Sequence, residues 1–190
     1  MIPLRIWWLS VAAAAAFSFA SLPPASAQTP PMAAAPNDPF GKEVSLVEKN
    51  IVYVAGSGMW ESAFSTIVAG FKTVYGAMAK QGLKASGAPM TIYTATDDTS
   101  FQFQAAVPVE QVPTLPAGSE IAVGKSPAGK ALMFIHRGSY EALDSTYEAV
   151  TDYLDEKKLE GKDLFIEQYM KDPLSTPEDD LVIEIYVPLK

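Results

Sequence analysis

The chain has 190 residues, with 14 Lys and Arg against 22 Asp and Glu, and no cysteine. A formal charge of −8 is the wrong sign for holding a phosphate backbone, so a nucleic-acid partner is excluded. Without cysteine there are no disulfides, thiolate nucleophiles or cysteine metal sites, and a single histidine cannot build a zinc centre, so no metal or cofactor is expected.

The first predicted element is a cleavable signal peptide, residues 1–27. Arg5 supplies the positive start, Ile6 to Ala20 is a nearly unbroken apolar run of 15 residues, and Ala25-Ser26-Ala27 is an A-x-A cleavage triplet. The run is shorter than the ~20 apolar residues of a membrane span and ends in prolines. Cleavage after Ala27 sends the protein to the periplasm or outside the cell, with no membrane insertion afterwards. Losing Arg5 leaves 13 Lys and Arg against 22 Asp and Glu, a charge of −9. Residues 28–42 form a tether: Gln28 to Asn37 is rich in Pro and Ala and has no periodicity. About 150 residues remain, enough for one domain with its own core.

Over 43–190 the predicted elements come in two matching halves, about 43–109 and 119–190. Each has an apolar strand, an aromatic-acidic corner, an amphipathic helix and two closing strands. In the first half the strand is Ile51 to Ala55. The helix carries Phe64, Ile67, Val68, Phe71, Val74, Tyr75 and Met78, and Met90 to Ala95 and Phe101 to Val107 close the half. In the second the strand is Ala131 to His136. The helix carries Leu143, Tyr147, Val150 and Leu154, and Leu164 to Met170 and Leu181 to Val187 follow. Extra strands are expected at Glu43 to Val47 and Glu120 to Gly124. Gly58-Met59-Trp60-Glu61 returns 80 residues later as Gly138-Ser139-Tyr140-Glu141, and Val107-Pro108-Val109 returns as Val187-Pro188-Leu189. Between these anchors the offset falls to 76, as in Leu83 with Leu159 and Tyr93 with Tyr169, so the first helix should be about one turn longer. The fold class is therefore α+β: duplicated β-α-β-β units forming one antiparallel sheet, with two helices on one face and a ligand groove on the other.

Three runs of the second half, Phe134-Ile135-His136-Arg137-Gly138-Ser139-Tyr140-Glu141-Ala142-Leu143, Ile166-Glu167-Gln168-Tyr169-Met170-Lys171-Asp172-Pro173 and Glu184-Ile185-Tyr186-Val187-Pro188-Leu189, resemble the GyrI-like small-molecule-binding domain in order and spacing. The resemblance covers roughly 43–190 and implies a ligand groove between the halves. Members include drug-sensing effector domains of transcription regulators, stand-alone binding proteins and hydrolases of reactive cyclopropane compounds; the haem-binding SOUL proteins share the fold. Here a signal peptide stands where a regulator would carry its DNA-binding module.

Glu167 is the first candidate residue. Strand alternation puts it on one face with Phe165 and Tyr169, a carboxylate between two rings that suits a cationic or hydrogen-bonding organic ligand. The resemblance also implies an acid on this strand in the groove. Glu184 alternates with Tyr186 on the last strand; with Glu167 it would make a carboxylate pair, the basis of a hydrolase alternative in which either acts as acid or base. Tyr93 is the repeat mate of Tyr169. Trp60 and Tyr140 occupy equivalent corners, as core or as groove wall. No nucleophile arrangement is present, so no catalytic residue is assigned. His136 reads as a hydrogen-bonded strand-end histidine, with axial haem ligation as the SOUL-type alternative. Gly124 to Ala131 nearly matches a phosphate-binding loop, but Ala131 stands where Ser or Thr is needed and a strand follows, so it reads as a hairpin turn. The expected function is binding of small amphipathic organic molecules, cationic or neutral. No protein partner can be read from the sequence.

Overall fold

The computed structural model describes residues 38–190. The signal peptide and the Gln28–Asn37 stretch of the tether lie outside them. Eight strands and two long helices follow in order: β1 Phe40–Leu46, β2 Asn50–Met59, α1 Ala63–Lys80, β3 Met90–Thr96, β4 Ser100–Pro108, β5 Ala122–Lys125, β6 Gly129–Arg137, α2 Leu143–Lys157, β7 Phe165–Tyr169 and β8 Val182–Pro188. One turn of 3-10 helix precedes each long helix, at Trp60–Ser62 and Tyr140–Ala142. Helix α1 has 18 residues and α2 has 15, so three residues of the 76-versus-80 offset lie in the helix itself.

All strands belong to one antiparallel sheet ordered β1-β6-β8-β7-β3-β4-β2-β5. The sequence repeat and the ladder agree in register. Ile51 pairs with Pro108 in one half and Ala131 with Pro188 in the other; Met90 pairs with Ala106, and Ile166 with Tyr186. At the centre Thr91 faces its own repeat mate Glu167, so a local two-fold axis passes between them. The edge strands are exchanged: β1 pairs with β6 of the second half, and β5 with β2 of the first.

The links 47–49 and 126–128 each join strands at opposite ends of this order. In a flat sheet those strands would stand about 29 Å apart, six spacings of ~4.8 Å. Four Cα steps reach at most about 15 Å. The sheet therefore curls until its ends meet, and the Glu48–Lys125 ion pair and the Lys49–Ser126 bonds stitch the two links together. This corrects the hairpin expected at 124–131: β5 and β6 are not paired, and the segment crosses from one end of the sheet to the other.

Both helices lie on the outer face. Ile67 and Phe71 of α1 and Leu143 and Val150 of α2 join one cluster with Phe103, Ala105, Leu132, Phe134 and Ile185. The opposite face closes on itself, where Ile51, Met90, Ile92, Ala106 and Ile166 form a separate buried cluster flanked by Leu46, Tyr53, Leu164 and Tyr186.

The fold begins a few residues before position 43. Asp38 accepts two bonds from Arg137, at 2.6 and 2.9 Å, and Phe40 packs edge-on against Phe134 and Tyr153. Gly41 has φ +71°, and a Cβ there would run into the Tyr153 ring, so this bulge favours glycine.

Candidate functional site

Strands β3 and β7 lie at the middle of the sheet, with α1 packed to one side on β2 and β4 and α2 to the other on β6. Alternation sends Thr91 and Tyr93 of β3 and Phe165, Glu167 and Tyr169 of β7 outward, toward the helices. The contacts confirm it: Tyr147 of α2 donates a hydrogen bond to Glu167, and Phe71 of α1 meets Tyr169 edge-on at 5.4 Å. Alternation thus grouped Phe165, Glu167 and Tyr169 correctly, but they look onto the helical face and not onto the face opposite it. Period two cannot say which face is which. The groove was expected on the face opposite the helices, and phenols on the helical face take up the carboxylate instead.

Glu167 is 1% exposed. Its Oε1 accepts from Tyr147 Oη at 2.9 Å; its Oε2 accepts from Tyr169 at 2.9 Å and is approached by Tyr93 at 3.2 Å and Tyr140 at 3.3 Å. Tyr93 and Tyr140 also share one proton over 2.7 Å. Each phenol has a single O–H, so three of the four protons can point at the carboxylate while the fourth joins Tyr93 to Tyr140. Burial pushes the Glu167 carboxyl up, and the four hydroxyls only partly offset this. Burial, and then the charge of Glu167, pushes all four phenols well above their usual value, so they stay protonated donors. The main causes of the Glu167 shift include no Lys or Arg, and none of the ion pairs among the described residues includes it. The result is a buried carboxyl group whose hydrogen bonds are satisfied and whose charged form has no compensating positive side chain among the described residues, so ionising it is costly.

Further aromatic rings pack around these phenols. Phe165 stacks on Tyr93 at 4.2 Å and meets Tyr147 at 5.2 Å; Trp60 lies over Tyr93 at 5.9 Å and Phe101 at 4.7 Å; Phe64 of α1 lies 5.0 Å from Tyr140. Trp60 is exposed at the rim, while Tyr93 is buried beneath it. Such rings present negative faces to a cation and apolar area to its substituents.

Of the residues expected from sequence, Glu167, Tyr169, Phe165, Tyr93, Trp60 and Tyr140 come together here. Glu184 and Tyr186 do not: they face the curled interior side, where the Tyr186 hydroxyl donates to Glu184. A Glu167–Glu184 acid pair is therefore ruled out, because neighbouring strands set the two carboxylates on opposite faces. Tyr147 was missed as a site residue. Its signal was present, since it is the one hydrogen-bonding side chain in the apolar stripe of α2. His136 is buried with both ring nitrogens engaged, by Thr146 and by the Ser139 carbonyl, which leaves none for a haem iron. Among the described residues no cluster of three metal-ligating side chains occurs, and no helix is long and apolar enough to cross a membrane.

A family model for the GyrI-like small molecule binding domain matches residues 42–190. No curated protein matches. Among solved structures, the C-terminal domain of EcmrR is similar with TM-score 0.64 and 17% identity, covering 80% of this chain and 97% of that one. SAV2435 bound to tetraphenylphosphonium is similar with TM-score 0.56 and 17% identity, covering 80% and 94%. A hydrolase from Listeria innocua has TM-score 0.56 and 12% identity, covering 78% and 91%. At these identities the likenesses establish the fold alone.

Proposed function

Since this chain belongs to the GyrI-like small molecule binding domain family, we propose that it captures amphipathic organic cations at Glu167. The observation that carries this reading is a carboxylate buried among four phenols and, among the described residues, in no ion pair with a Lys or Arg. A ligand that brings a diffuse positive charge and apolar area satisfies both the anion and the rings. A charge of −8 favours the approach of such a ligand. That a protein of the same fold was solved with tetraphenylphosphonium is in keeping with this choice.

We further propose that the protein works in the periplasm or outside the cell, on the strength of Arg5, the Ile6–Ala20 run and the Ala25-Ser26-Ala27 triplet. N-terminal sequencing of exported protein should begin at Gln28; a start at Met1 contradicts export by cleavage. Native mass spectrometry of protein purified from its own compartment tests the ligand class. A co-purifying organic cation supports the reading, and a retained anion opposes it. A second reading, hydrolysis of a reactive organic compound with Glu167 as acid or base, is favoured by the raised carboxyl, which holds a proton nearer neutral pH. Turnover of a strained cyclic substrate that Glu167→Gln abolishes would select it.

A further inference from the structure

The two corners that deliver Trp60 and Tyr140 are repeat mates, yet they are fixed in different ways. In the first half β2 runs on through Met59, and the tight β3–β4 hairpin reaches over: Trp60 N–H donates to the Thr99 carbonyl, and its indole Nε1 donates to the Asp97 carbonyl at 2.9 Å. Its ring lies flat over Tyr93. In the second half β6 ends at Arg137, and the twelve residues 170–181 replace the hairpin. Gly138, at φ +115°, turns the chain away, a conformation side chains resist. Among the described residues no hairpin bond holds Tyr140, and its hydroxyl is turned into the site against Tyr93 and Glu167.

His136 ties this corner to α2, beside the backbone bond that the Gly138 N–H donates to the Leu181 carbonyl. The histidine is 4% exposed, and its repeat mate is Gly56, so the first half has no counterpart. Nε2 lies 3.0 Å from the Ser139 carbonyl and Nδ1 lies 2.8 Å from Thr146 Oγ1. A carbonyl only accepts, so Nε2 carries the proton and Nδ1 accepts from the Thr146 hydroxyl. One neutral imidazole thus ties the end of β6, the residue preceding Tyr140 and the first turns of α2 into a single unit. That helix also carries Tyr147.

We infer that His136 is a positioning residue for the ligand site, holding Tyr140 where its hydroxyl reaches Tyr93 and Glu167. This rests on the reading of Glu167 as the cation site. The test is a double-mutant cycle with tetraphenylphosphonium as probe, with Glu167→Gln measured alongside. Tyr140→Phe removes one hydroxyl and should weaken binding about five-fold. His136→Phe should weaken it about as much, and the double variant should be no worse than Tyr140→Phe alone. His136→Gln, which keeps a donor toward the Ser139 carbonyl, should recover part of the loss. Should His136→Phe fail to fold, Thr146→Val removes one tie only, and its smaller loss should likewise vanish in the Tyr140→Phe background. The Tyr140 ring-carbon resonance in tyrosine-labelled protein should move toward that of an exposed tyrosine in the His136 variants without any ligand. Wild-type affinity in His136→Phe and Thr146→Val, or losses that multiply with Tyr140→Phe, would overturn the inference. If Glu167→Gln itself binds like wild type, the reading of the site fails instead.

Discussion

Thr91 and Glu167 stand directly opposite each other on β3 and β7, both fully buried on the helical face, a hydroxyl and a carboxylate at equivalent positions of the two halves. Glu167 is surrounded by donors, whereas Thr91 Oγ1 makes no well-formed hydrogen bond among the described residues, its polar neighbour being the Tyr169 hydroxyl already committed to Glu167. Leaving a buried hydroxyl unpaired costs about 1–3 kcal/mol. Thr91→Val keeps the shape and removes the hydroxyl, so thermal melts should show unchanged or higher stability. A clear loss would mean that the hydroxyl has a bound partner in solution.

The raised carboxyl of Glu167 makes two opposite pH trends. Its folded value lies above the usual 4.5, so the folded state binds the proton more tightly than the unfolded chain does. Its contribution to stability is fully present below pH 4.5 and is lost as the pH rises through the folded value. Affinity for a cation runs the other way, rising as the carboxylate forms. Melts and titrations from about pH 4 to 8 should show both trends in wild type and neither in Glu167→Gln. A pH-independent affinity in wild type would count against an ionised Glu167 in the complex.

Among the described residues, Tyr147 alone donates to Glu167 Oε1. Tyr147→Phe should cost about 1.5–3 kcal/mol of stability at neutral pH, the range for a bond to a charged group. It should also move the pH midpoint of cation binding upward, since the anion loses a donor. A midpoint moving down would show that Tyr147 does not stabilise the charged form.

The Asp38–Arg137 pair and the Phe40 ring fasten the first described residues to β6. A chain starting at Asp38 should melt as the longer chain does. One starting at Glu43 loses nearly half of β1 and both anchors, and should melt several degrees lower, about 2–4 °C for each ~1 kcal/mol in a domain of this size. Equal melting of the two would show that β1 contributes nothing to the fold.

The elements were legible because Phe64, Ile67, Phe71, Val74 and Met78 sit at helical spacing and the strands alternate. The 80- and 76-residue offsets carried more than the elements did, since they anticipate which residues share a register. What stayed hidden was long-range. Nothing local in Phe40–Leu46 says that it pairs with β6 across the sheet, or that links 47–49 and 126–128 force the sheet to curl. The faces were reversed for a physical reason: a lone strand carboxylate reads as solvated, and only the converging hydroxyls of Tyr93, Tyr140, Tyr147 and Tyr169 make its burial tolerable. Glu184 looked like its partner because adjacency in the sheet was visible and orientation was not.

The central claim is that Glu167 supplies the charge that a cationic ligand meets. Calorimetric titration of tetraphenylphosphonium against wild type and Glu167→Gln tests it most directly, with melts to confirm that the variant folds. A charge-assisted contact is worth about 1.5–3 kcal/mol, so the variant should bind roughly 10- to 150-fold more weakly while Glu184→Gln, on the other face, binds as wild type does. Equal affinity in wild type and a folded Glu167→Gln would contradict the account.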